Sequence, residues 1–165
     1  MNTRDLTETL TTLFGELVDG ASTTGAYMLN RGDQGLLASL DKLTAADASR
    51  AANGGATVAA HVDHVRYGFS LMNRWQAGQN PFEDADWSAS WRIGAVSDAE
   101  WKALRSGLRS EAHSWLQALG APRDANPIEL NGLVGSIAHL AYHMGAIRQI
   151  GASARGPAEP QLTNR

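Results

Sequence analysis

Residues 56–77 read ATVAAHVDHVRYGFSLMNRWQA, and the spacing of their apolar side chains decides the fold class. Val58, His61, Val65, Met72 and Trp75 fall on one stripe when successive residues are turned by about 100°, the angular step of an α-helix. A half-buried strand would alternate apolar and polar side chains instead, and no such alternation occurs here. Gly54 and Gly55 interrupt the pattern on its N-terminal side. The spacing therefore predicts a helix over about 56–77, the second of four.

Upstream, Leu6, Leu10, Leu13, Phe14 and Leu17 recur as one helical face, with Thr and Glu on the other side. This is helix one. Between Gly20 and Gly55 the pattern weakens. Leu36, Leu37, Leu40 and Leu43 suggest a short helix, and Thr44 with Asp47 resembles a capping box opening another turn. The segment reads as a long, partly helical connection.

Downstream, residues 76–96 contain Asn80-Pro81 and the aromatics Phe82, Trp87 and Trp91 without a period; loops of this length in compact domains are often rims or lids. Ser97-Asp98-Ala99-Glu100 is a capping box. It opens helix three, whose core face carries Trp101, Leu104, Leu108, Ala112, Trp115 and Leu119, ending at Gly120 and Pro122. Asn126-Pro127-Ile128-Glu129 repeats the start signal, with a capping asparagine, proline at the first helical position and glutamate at the third. Helix four then runs to about Ile150 and Gly151. Four amphipathic stripes must cover one another, so the expected fold is all-α, an antiparallel four-helix bundle. It occupies a single domain over 1–155, with a solvated tail over 156–165.

Composition narrows the function classes. The chain has 165 residues, 43% apolar and 19% charged, with a formal net charge of -3, which fits one globular domain. No clustered basic field is present, so nucleic acid and anionic lipid are not expected partners. No stretch reaches the roughly 18 apolar residues of a membrane span, and Met1 to Glu8 is too polar for a signal peptide, which leaves the cytoplasm as the expected location. Cysteine is absent; thiolate ligands and a cysteine nucleophile are excluded together, and any metal must be held by nitrogen or oxygen.

The five histidines, at 61, 64, 113, 139 and 143, point to such a metal. His139 and His143 are one turn apart, about 40° around the axis and about 6 Å along it, so one ion can touch both imidazoles. Ser136 and Ala146 leave space beside them, while Ile147 and Ile150 keep that face inward. On helix two, His61 and His64 lie in or beside the apolar stripe, and either can supply a third ligand from a facing helix. His113 stands about 120° from the core stripe of helix three and reads as a partly exposed structural residue.

The two histidine segments also carry a resemblance. Thr57-Val58-Ala59-Ala60-His61-Val62-Asp63-His64 is similar to the helix-two motif of the DinB-like (YfiT, damage-inducible) family, in which a histidine follows the helix-starting Ser or Thr by seven residues. His139-Leu140-Ala141-Tyr142-His143-Met144-Gly145-Ala146-Ile147 resembles that family's closing motif. The resemblance covers nearly the whole chain. It implies a triad of His64, His139 and His143 with His61 beside it, nickel or zinc as the ion, a homodimer, and thiol-dependent transferase or isomerase activity among its members.

Three neutral imidazoles leave a divalent ion its full charge, enough to acidify a bound water or a small thiol. The expected function is therefore a metal-dependent hydrolase or thiol-dependent transferase acting on a small molecule. The alternative is a non-catalytic metal-binding or dimerising bundle. Asp63 reads as a surface charge, Arg148 as a surface or interface residue on the far side of helix four, and Glu83, Asp84 and Asp86 as a solvated acidic loop. Trp75 and Tyr142 read as core residues or pocket walls.

Overall fold

The structure, a computed structural model, describes residues 3–158 apart from Thr24 and Arg123. Six α-helices follow in order: α1 (Thr3–Asp19), α2 (Gly35–Asp41), α3 (Ala45–Ala48), α4 (Val58–Gln76), α5 (Asp98–Leu119) and α6 (Pro127–Ile150). Short 3-10 turns occupy Ala89–Arg92 and Ala152–Ala154. Among the described residues there is no strand, only an isolated bridge between Ala51 and Thr57. The chain is all-α, as its periodicity requires.

The four helices expected from the sequence are α1, α4, α5 and α6. All three anticipated capping boxes form: Thr44 with Asp47, Ser97 with Glu100, and Asn126 with Glu129. Each satisfies amide groups that a helix N-terminus otherwise leaves without partners. α4 packs against α5 and α6, and α1 packs against the same two helices. Between them lies one core in which Phe14, Trp101, Trp115, Leu108 and Leu140 are fully buried. Burying side chains of this size contributes about 1.5–3 kcal/mol each relative to exposure.

The connection from Gly20 to Gly55 is fastened at several points. The buried Glu16 carboxylate accepts the amides of Tyr27, Met28 and Leu29 at 2.6–3.1 Å. Gly20 and Gly35 cross at the end of α1, both with positive φ (105° and 78°). A Cβ at either would stand 2.5 Å from backbone of the facing segment, Asp33 O for Gly20 and Gly20 N for Gly35, so neither position admits a side chain.

Arg148 is the main departure from expectation. Instead of lying on the surface, it donates to both oxygens of Asp33 at 2.7 and 2.8 Å and to Ser39 Oγ at 3.1 Å. Burial pushes the Asp33 carboxyl up, but hydrogen bonds from Arg148 and from the Gly35 amide outweigh it and hold the group below its ordinary value. Helical angle alone gave the direction of Arg148 correctly; it carries no information on what the long connection lays over that face. Beyond α6, Ala154 is buried and Pro157 accepts a hydrogen bond from Asn30. Residues 159–165 of the expected tail lie outside the described residues.

Candidate metal centre

Thr57 starts α4 by accepting the Ala60 amide at 3.1 Å, and its hydroxyl donates to the Ile93 carbonyl at 3.0 Å. That cap fixes the register which carries His61 and His64 toward α6. From α6, begun by the Asn126 box, His139 and His143 project one turn apart. His64 and His143 are 7% and 3% exposed; His61 and His139 are half-buried.

The structure brings His64, His139 and His143 together, with one donor atom from each lying within 4.8 Å of the others. Nε2 of His139 stands 3.2 Å from Nε2 of His64 and 2.9 Å from Nε2 of His143. A ring nitrogen offers either one N–H or one lone pair, so His139 Nε2 cannot hydrogen-bond well to both. A cation at the shared centre would satisfy all three lone pairs at once. The spacing fits as well, because two nitrogens each about 2.1 Å from one ion, at right to tetrahedral angles, stand about 3.0–3.4 Å apart.

His61 lies outside this triad but touches it. Its Nδ1 is 2.9 Å from Nδ1 of His143, on the side of that ring facing away from the triad contact. When His143 Nε2 presents its lone pair, Nδ1 carries the proton and donates to His61. Ligating histidines are commonly oriented through their second nitrogen in this way.

Electrostatics favour neutral rings. Burial lowers the basicity of His61, His64 and His139, with the nearby rings of His139 and His61 adding to the effect at His64. Burial lowers His143 furthest, to about 3, reinforced by the three neighbouring imidazoles. At neutral pH no proton has to leave before an ion binds.

A tryptophan loop roofs the cluster. Trp91 stacks on His64 with ring centroids 4.4 Å apart and stands edge-on to His61 at 5.4 Å; Trp87 lies 5.8 Å from His64. Among the described residues, His64 Nδ1 has no hydrogen-bond partner, so stacking takes the orienting role that a hydrogen bond plays at His143. The roof is anchored by Asp63, which accepts from Ser90 Oγ at 2.6 Å and from Arg66 at 2.7–2.9 Å. Asp63 is thus a largely buried tether and not the surface charge expected. Its place beside His64 in sequence gave no hint of a contact with a loop 27 residues away.

A cleft of about 370 Å³ opens beside His64 and His139, walled by Phe82, Trp87, Met72 and the glycines of α6. The chain matches no protein-family model, no curated protein and no solved structure. Its function is read from the site itself.

The remaining sequence candidates fall into place around this centre. Trp75 is half-buried against Phe82 and Gly132. Tyr142, expected in a core or pocket, is 71% exposed, its ring 4.9 Å from His143; it leans over the outside of α6, a direction that helical angle predicts poorly so near the rim. Glu83, Asp84 and Asp86 are exposed, and Asp86 is held by Ser88 and Arg92, which lower its carboxyl to about 2. His113 pairs with Asp19 at 2.9 Å on the surface. Among the described residues, no helix is long and apolar enough to cross a membrane.

Proposed function

We propose that this chain is a metal-dependent enzyme of the DinB-like four-helix-bundle type, holding zinc or nickel on His64, His139 and His143 and acting on a small molecule. The observation that carries the reading is His139 Nε2, which lies within 3.2 Å of two other ring nitrogens and can serve only one of them by hydrogen bonding. A divalent cation held there supplies Lewis acidity, lowering the pKa of a water or small thiol that reaches it.

The chain's own residues do the rest. His143 donates its Nδ1 proton to His61, which fixes the tautomer that leaves Nε2 free. Trp91 and Trp87 cover His64 and exclude bulk water, which strengthens electrostatic interactions beneath them. No carboxylate lines the cleft among its described residues, so a cation held by His64, His139 and His143 would supply the acidification of a nucleophile there, with no carboxylate placed as general base. That favours transfer of a thiol to an electrophile over hydrolysis of a substrate whose leaving group needs an acid.

Homodimer formation belongs to the same proposal, supported by Ile128, Val134 and Tyr142, which are exposed along α6. The test is calorimetric titration of chelator-stripped protein with zinc and with nickel. One ion per chain is expected, lost in His64→Ala and retained in His113→Ala. The loaded protein is then screened with low-molecular-weight thiols and an electrophile. Weak binding that His64→Ala does not alter would contradict the proposal.

A further inference from the structure

The cleft beside the histidines has a chemical character that the triad does not explain. Its walls contain no Asp, Glu, Lys or Arg among the described residues. Phe82, Trp87 and Met72 form one side; on the other, α6 presents Gly132 and Gly135 where most helices would carry side chains. A Cβ placed on Gly135 meets nothing within 4 Å, so the absence of a side chain there leaves open space that packing does not need. Ser136 is the one hydroxyl in the lining, and it is already engaged. It accepts from Trp115 Nε1 at 3.0 Å and donates to the Leu133 carbonyl at 2.7 Å.

Size adds a second constraint. A cavity of about 150 Å³ accepts one benzene ring, so the present cleft, about 370 Å³, holds a bicyclic system or one ring with a short chain. Concave sites lined by aromatic and apolar groups bind such molecules, with a few polar atoms fixing the orientation. Here the polar groups other than Ser136 are the imidazoles of His64 and His139, at one end of the cleft.

We infer that this cleft receives the uncharged, apolar, ring-sized part of the substrate, whose reacting end points toward His64 and His139. The inference deepens the proposed function and rests on it for the reacting end alone. A carboxylate or phosphate on the part lying in the cleft would find no cation to replace its water, and desolvating it unpaired is costly. Selection is therefore against charge as much as for shape.

Two thiols with the same donor atom separate these features: phenylmethanethiol, with a neutral ring, and 2-mercaptoethanesulfonate, with an anionic tail. Each is titrated into cobalt-loaded protein, following the thiolate-to-cobalt absorption. The aromatic thiol is expected to bind at least tenfold tighter. Gly135→Leu, which raises helix propensity and fills the open space, is expected to remove that preference while leaving cobalt affinity unchanged. In metal-free protein, 2-naphthol is expected to shift the Met72 methyl and Trp87 indole resonances, and Gly135→Leu to suppress the shifts. Equal affinity for the two thiols, or shifts that Gly135→Leu leaves intact, would overturn the inference. Loss of metal binding with the 2-naphthol shifts preserved would sink the proposed function and still uphold the cleft.

Discussion

On one side of α6, Arg148 meets the buried carboxylate of Asp33 with two hydrogen bonds of 2.7 and 2.8 Å, and Ser39 adds a third. On the other side, His139 and His143 meet His64 and His61, and among the described residues these rings bond only to one another. Both clusters bury polar groups against the same helix. The first is charge-balanced from within the chain; the second crowds three ring nitrogens together, where His139 Nε2 can pair well with only one of its two neighbours. An ion pair matched in charge fixes structure even where one atom, Arg148 Nε, is left without a partner, whereas neutral nitrogens crowded around one point leave room for a group from outside. The contrast separates a structural clamp from a cluster that could hold a metal ion, without reference to any relative.

The largest effect is expected from breaking the clamp. Arg148→Ala leaves the Asp33 carboxylate buried and unpaired, which costs about 3–5 kcal/mol, read as a fall in the urea unfolding midpoint. Zinc affinity of the folded fraction should stay the same; a variant that kept its stability but lost zinc would reverse the roles assigned to the two clusters. Next comes ligand-linked stabilisation. Zinc at one hundred times its dissociation constant should raise unfolding free energy by about 2.7 kcal/mol, and in His64→Ala the gain should vanish.

His61 sharpens the comparison within the histidine cluster. Removing an orienting partner typically weakens metal binding about 10–100-fold, so His61→Ala should reduce zinc affinity by that amount without changing the one-to-one stoichiometry. Retained affinity would leave the 2.9 Å contact with His143 without a role in binding.

Acid should act on the two clusters differently. His143 titrates near 3 in the folded chain against an ordinary value of 6.5, so the unfolded chain takes up a proton that the folded one refuses. Its contribution is fully present above about pH 6.5 and is lost as pH falls toward 3. Between pH 7.5 and 5.5 this single ring should cost metal-free protein about 1.4 kcal/mol, with the sites at 61, 64 and 139 acting in the same direction. Metal-free unfolding that is flat over this range would show that the rings are not held neutral. The smallest effect belongs to the surface pair: His113→Ala should change stability by less than about 1 kcal/mol, as exposed ion pairs contribute little.

Much of this was legible before any coordinates. The stripes through Leu10 and Phe14, Val58 and Val65, Trp101 and Leu108 announced the long helices because burial imposes the helical period directly on the sequence. The capping boxes at Ser97 and Asn126 marked starts because few side chains satisfy free amides. His139 and His143 were readable because they lie one turn apart on an inward face, while spacing left His61 and His64 both open as the third ligand and only the resemblance of the Thr57–His64 segment to a family motif pointed to His64. What escaped were the long-range contacts made by non-periodic chain. Asp63 tethers Ser90, Trp91 stacks on His64, and Asp33 clasps Arg148, each across a separation that local spacing does not encode. The direction of Arg148 could be counted around the helix; its partner lies in a connection whose path depends on Gly20 and Gly35 crossing at the end of α1.

The central claim is that imidazoles from α4 and α6 hold one divalent ion. X-ray absorption on the zinc-loaded protein tests it most directly. A first shell containing three imidazole nitrogens at about 2.0–2.1 Å, with no zinc retained by His64→Ala, is the expected result. A shell of oxygens without imidazole scattering, or one identical in His64→Ala, would contradict it.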